Sequence, residues 1–374
     1  MTMDLAITDE QKAEPEAEFK AKGQSNKDVL DRFTDNGGTF DMIVKPMFQA
    51  GHEGELCSWL REAGLMRSSM NCRTETCNNR SMTWAPARSV DKYCWNCTEC
   101  KKRETVRDSS FFMQIKCDLK LCMQIIVAWC QSHPCDVVES YLGIKHHVVK
   151  KAYDRLAKVA EKYVTKHKDE WIFGGSDKIL IIDEFPGGYM TETLNAPVYK
   201  KRNNNCHTML CIAEVDMDMK LFQIPPKMWM HIIQANPEPP SSKNAKTPKP
   251  ITKCGMVEEA LKEICAHAKP GSYLLANQRA RCCNYESLQE LKEYRVICIE
   301  DLQIYDTPGK NELLGNLKTI WQTGLGVCEE IQEMSRSLGQ LTLCVHLWRQ
   351  RFAQSSAVAF ERIIQHIAEC FPLS

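Results

Sequence analysis

The sequence predicts an α+β protein of several domains, and three observations carry that prediction. Four cysteines between 72 and 100 have the spacing of a small metal-stapled ribbon. The stretch 118–167 shows helical apolar periodicity and ends in a strongly basic segment. From 178 onward, β-branched runs come first and then alternate with helical ones, the pattern of a mixed sheet flanked by helices.

The chain has 374 residues, enough for two or three domains, with no net charge. Its charge is unevenly placed. Residues 1–50 carry a net charge of −4 and little apolar periodicity, so they read as an acidic, disordered tail. Residues 88–168 hold 16 Lys/Arg against 9 Asp/Glu, the footprint expected of a nucleic-acid-binding module. The acidic N-terminus lacks the apolar core of a signal peptide. The most apolar run, LCMQIIVAWC, is too short to span a bilayer. A soluble intracellular protein without a membrane partner is therefore expected.

Of the 20 cysteines, only one group has ligand spacing. Cys72 and Cys77 form one pair, and Cys97 and Cys100 the other. Four thiolates satisfy Zn²⁺ with no open position, so the predicted zinc is structural, in a ribbon over 51–110. Scattered cysteines such as Cys122, Cys130, Cys211, Cys298 and Cys344 read as small buried hydrophobes.

Residues 111–168 come next as three helices. His133-Pro134 separates the first from the second, and Gly143 the second from the third. The last two read as a helix-turn-helix, with Lys145, His146, Lys150, Lys151 and Arg155 on its basic side. Together with Lys101, Lys102 and Arg103 just upstream, these are the candidate contacts to double-stranded DNA. A solvated basic helix within a bundle is the alternative.

Residues 170–374 form the mixed-sheet domain. Strands are expected at 178–184, 207–215, 219–224, 272–276 and 295–300, and helices at 256–268, 285–294, 311–335 and 340–369. A Pro/Ser/Lys-rich insertion at 236–253 reads as a flexible surface loop.

KILIIDEFPGG places an acidic pair, Asp183-Glu184, at the end of the first buried strand. PGSYLLAN ends a later strand in Asn277, and GKNELLGNLKTIW leads a helix to Trp321. These blocks, with DKYCWNCTEC, ETVRDSSFF and HLWRQRF around them, resemble the Merlin-type DNA transposases. Those are relatives of bacterial insertion-sequence transposases with a ribonuclease-H-like Asp-Asp-Glu domain. The resemblance covers roughly residues 55–370. It implies a ribonuclease-H-like fold over 170–374, a nuclear location and two-metal phosphoryl transfer on DNA. It also implies that Cys94 is not a zinc ligand.

The matching catalytic positions are Asp183, Asn277 and Lys318. Two of the three carboxylates are thus replaced, which implies a degenerate or domesticated member that binds DNA without cutting it. Lys318 would repel a cation or pair with Asp183. Glu184 and Glu312 are the candidate substitutes if cutting through Mg²⁺ survives. An active transposase and an interaction scaffold without DNA binding remain the alternatives, and a homo-oligomer is compatible with either.

Overall fold

In the computed structural model the described residues are 32–77, 81–176, 178–187, 207–216, 227–233, 253–304 and 310–373. They form a mixed α/β structure with one three-stranded and one five-stranded sheet.

Folding begins inside the stretch expected to be a tail. Phe40–Val44 is a π-helical turn and Lys45–Phe48 a 3₁₀ turn, and Phe33, Phe40, Val44 and Phe48 are buried. Asp35 anchors them by accepting from the N–H groups of Phe40 and Asp41 at 2.8 and 3.0 Å. The Phe40 ring meets Phe360, far along the chain, at 5.3 Å. Residues 32–50 are therefore part of the fold. Phe40, Val44 and Phe48 recur every four residues, but the run is short and interrupted by Pro46, so it is easily passed over in the sequence.

Helix α1 (Glu53–Glu62) leads into the small sheet. Its strands β1 (Thr83–Pro86), β2 (Tyr93–Asn96) and β3 (Arg103–Thr105) form an antiparallel meander. Arg107 ties this small sheet to the segment just before the next helix. It donates to the Asp91 carboxylate and to the carbonyls of Ile115 and Cys117, the last two at 2.6 and 2.7 Å.

Helix α2 (Leu119–Cys130) starts at Asp118, whose side chain caps the Leu121 N–H at 2.7 Å. It is buried on nearly every face, as its uniformly apolar sequence requires. Helix α3 (Cys135–Leu142) ends at Gly143, whose left-handed φ of 63° suits a residue without a side chain. Helix α4 (His146–Lys166) buries Val149, Ala152, Leu156, Val159 and Ala160.

The large sheet contains β4 (Lys178–Phe185), β5 (Thr208–Asp216), β6 (Met228–Ile233), β7 (Tyr273–Ala276) and β8 (Arg295–Cys298). The spatial order is β6-β5-β4-β7-β8. The β6–β5 and β5–β4 pairs are antiparallel, and the β4–β7 and β7–β8 pairs parallel. The third strand is thus Met228–Ile233, a position at which the sequence pattern predicted none. The run expected at 219–224 and most of the 236–253 insertion lie outside the described residues.

Helix α5 (Lys253–His267) joins β6 to β7, and α6 (Tyr285–Leu288) is a single turn where a longer helix was expected. The short α7 (Ile299–Ile304) comes after β8. Helix α8 (Lys310–Ile331) lies against β4 and β5.

The long helix expected at 340–369 is two helices, α9 (Arg336–Phe352) and α10 (Ser356–Cys370). Ser355 causes the break: it is extended, and its hydroxyl caps the Val358 N–H at 3.2 Å. Helix α4 packs on both α9 and α10, so one hydrophobic cluster runs from Phe33 to Ile367. In α9, Arg349 donates to the Trp129 carbonyl at 2.9 Å and to the Ser132 hydroxyl, at the C-terminal end of α2.

Candidate metal cluster, basic face and buried carboxylate

Cys72 and Cys77 lie in the loop before β1, and Cys97 and Cys100 in the turn between β2 and β3. The Cys72–Cys100 sulfurs are 3.5 Å apart and the Cys77–Cys97 sulfurs 3.6 Å. Such separations suit four sulfurs around one tetrahedral ion, and the cluster could hold a metal such as zinc. The N–H groups of Cys100 and Glu99 draw the Cys97 thiol down to about 6, against the effect of its burial. The Thr74 hydroxyl and N–H lower Cys72 in the same way. Both effects favour the thiolate, the form that binds metal. Cys94 sits on β2, outside the cluster.

The basic residues divide into exposed and engaged sets. Lys145 is exposed at the start of α4, and His146 beside it contacts Glu139 at 3.0 Å. Lys150 is exposed and only loosely paired with Asp154, at 3.5 Å. Lys101, Lys102 and Arg103 are exposed beside the cysteine cluster; Lys101 reaches the Thr98 carbonyl at 2.7 Å and Lys102 pairs with Glu104 at 3.3 Å. Lys151 donates to Gln114 at 3.1 Å.

Arg155 does not belong to the exposed set. Its guanidinium is half-buried and donates to the Phe111 carbonyl, and burial lowers its pKa. It is a packing tie between α4 and the segment before α2. Arg107 is likewise committed to the interior.

Asp183 and Asn277, 94 residues apart in sequence, are brought together because β4 and β7 are parallel neighbours. Asp183 is only 1% exposed. One of its oxygens accepts from the Asn277 amide at 2.7 Å and from the Glu184 N–H at 2.8 Å. Its other oxygen accepts from the Trp321 indole N–H at 2.6 Å. The Asn277 oxygen accepts from the N–H groups of Arg279 and Ala280, at 2.9 and 2.7 Å. Burial pushes the Asp183 carboxyl up to about 7; the N–H donors offset only part of that.

Lys318 takes no part. It is exposed, while Leu317, Ile320 and Trp321 form the buried stripe of α8. The expected pairing of Lys318 with Asp183 is thus replaced by a Trp321 hydrogen bond. Gly324, one turn on, permits this approach: a Cβ there would lie 2.9 Å from the Phe185 ring. The sequence signal available was Trp321 itself, which marked the helix but not the face it presents.

Glu184 is fully buried and its two oxygens accept from Arg281 Nε at 3.1 Å and the Cys282 N–H at 2.9 Å. The side chain of Glu312 lies outside the described residues. Among the described residues the surroundings of Asp183 do not suit Mg²⁺: one carboxylate oxygen and the Asn277 oxygen each accept two N–H donors, the other carboxylate oxygen accepts the Trp321 indole, and no second described carboxylate joins that network. No family model, curated protein or solved structure matches the chain. No helix among the described residues is long and apolar enough to cross a membrane.

Proposed function

We propose that this protein is a transposase-derived, zinc-containing DNA-binding factor of the nucleus whose cutting centre has been converted into a packed polar core. The observation that carries the proposal is the Asp183–Asn277–Trp321 network. It sits where the Merlin resemblance calls for metal-binding carboxylates, and its oxygens are turned to N–H donors among the described residues. The strand order supports the ribonuclease-H-like reading: three antiparallel strands in sequence, then two parallel strands reached through helices, with the key residues at adjoining strand ends.

The DNA-binding side of the proposal rests on the N-terminal half. Helices α3 and α4, joined by a glycine turn, support the helix-turn-helix reading. Lys145, His146 and Lys150 lie on the open face of α4. The four-cysteine cluster would hold zinc as a closed structural ion, with Lys101, Lys102 and Arg103 presented from its knuckle. Basic side chains around a zinc-held turn suit the phosphate backbone of a duplex.

The test is a salt titration of duplex binding by the full chain, run beside a nicking assay with Mg²⁺ and Mn²⁺. Tight, steeply salt-dependent binding with no nicking is expected. Lys145→Glu with Lys150→Glu should weaken binding more than Lys262→Glu with Lys292→Glu. Metal-dependent nicking that Asp183→Ala abolishes would overturn the inactive assignment. Equal losses from both lysine pairs would remove α4 from the interface.

A further inference from the structure

A second group of metal-binding atoms lies apart from the ribbon. The Glu184 carboxylate and the Cys282 and Cys283 sulfurs are within 4.8 Å of one another, and all three residues are 0% exposed. Side chains alternate along a strand, so Glu184 faces away from Asp183 and its Trp321 partner. The group is therefore distinct from the buried carboxylate network.

Its surroundings are shaped and charged in a particular way. Arg281 donates to one Glu184 oxygen and the Cys282 N–H to the other, and the Cys282 thiol hydrogen-bonds the same carboxylate, a bond that an incoming ion would replace. Arg281 also donates to the Thr208 hydroxyl at 3.0 Å and forms the solvent-side wall, 48% exposed. Gly187 covers the carboxylate: a Cβ there would come within 3.4 Å of the Glu184 oxygen, at a φ of 129° that favours glycine.

We infer that Glu184, Cys282 and Cys283 form a second metal site, which takes a thiophilic divalent cation such as Zn²⁺ through two thiolates and one carboxylate. Two thiolates and a carboxylate carry three negative charges; the cation and the Arg281 guanidinium balance them, so the buried site is neutral. Uptake of the ion releases the two thiol protons to solvent. A hard cation such as Mg²⁺ is a poor match for two sulfurs. Three protein ligands leave the fourth position of a tetrahedral ion to a water or another small donor. The ion would tie the end of β4 to the loop after β7, whatever the protein binds through its N-terminal half.

The test is cadmium titration of the reduced, metal-free full chain, followed by equilibrium dialysis and by thiolate-to-metal charge-transfer absorption. The native protein should bind about two ions per chain, one at each cluster. Cys97→Ser with Cys100→Ser should leave about one, and Cys282→Ser with Cys283→Ser should also leave about one. Glu184→Gln keeps both sulfurs and should weaken only the second ion, by about tenfold or more. Unchanged cadmium binding in the Cys282→Ser, Cys283→Ser chain overturns the site. So does a single ion in the native chain. The native count stands even if a serine variant fails to fold. A failure of DNA binding with two ions retained would count against the proposed function and not against this site.

Discussion

Replacing Asn277 by Asp restores, on paper, the second carboxylate of a metal site, and the structure turns that change into a measurable stability defect. The Asn277 amide donates to Asp183 at 2.7 Å, and its oxygen accepts two backbone N–H groups. While Asp183 is ionised, a protonated Asp side chain can reproduce all three bonds, with its O–H aimed at Asp183, and an ionised one cannot. In that state the new carboxyl must hold a proton. Each unit of forced protonation costs about 1.4 kcal/mol, and pH 7 lies about three units above an ordinary Asp pKa, so Asn277→Asp should cost about 4 kcal/mol at pH 7. At pH 5, where Asp183 carries a proton of its own, the cost falls to at most about 1.5 kcal/mol. Urea denaturation of native and variant protein at the two pH values reads the difference directly. Millimolar Mg²⁺ should not recover it, because Trp321 caps the other Asp183 oxygen. A variant as stable as the native chain at pH 7 without metal, or one rescued by Mg²⁺, would refute the packed-core account.

Other consequences are equally direct. Asp183 and His366 should oppose each other in their pH dependence. Burial holds His366 at about 4, so its contribution is complete above pH 6.5 and is lost as pH falls toward 4, by about 2 kcal/mol at pH 5. Asp183, raised to about 7, works the other way and gains about 2 kcal/mol between pH 7 and pH 5. Native stability should then be nearly flat over that range, and Asp183→Asn should expose a fall of about 2 kcal/mol; an unchanged pH profile in that variant would contradict the assignment. Arg107→Leu strands the buried Asp91 carboxylate and two carbonyls, so a loss of about 3–5 kcal/mol is expected by denaturation, against under 1 kcal/mol for the exposed Lys150→Leu. Chelation of zinc should abolish DNA binding and raise protease sensitivity in residues 72–108, while 208–216 stays protected; DNA binding that survives complete zinc removal would separate the ribbon from the interface.

The sequence by itself determined what depends on neighbours along the chain. The run at 178–184 reads as a buried strand, the helices of 118–167 come from their period and from Pro134 and Gly143, and ligand spacing picks out Cys72, Cys77, Cys97 and Cys100. Each signal is carried within a few residues.

Which side chains meet across the fold was decided only by tertiary structure. Lys318 and Trp321 are three residues apart on one helix, and periodicity alone did not say which of them would reach Asp183. The approach of α8 over Gly324 and Phe185 turned Trp321 inward and left Lys318 in solvent. Arg155 reads as a DNA contact beside its basic neighbours, yet the Phe111 carbonyl draws it inward, as the Ile115 and Cys117 carbonyls draw Arg107. Phe40 joins the core because α10, more than 300 residues later, supplies the Phe360 ring it meets, Phe33 packs on His133 and Tyr141, and Glu184 meets Cys282 only because β4 and β7 lie side by side. Burial and hydrogen bonding act through space, and partners a hundred residues apart leave no local pattern that a single sequence can display.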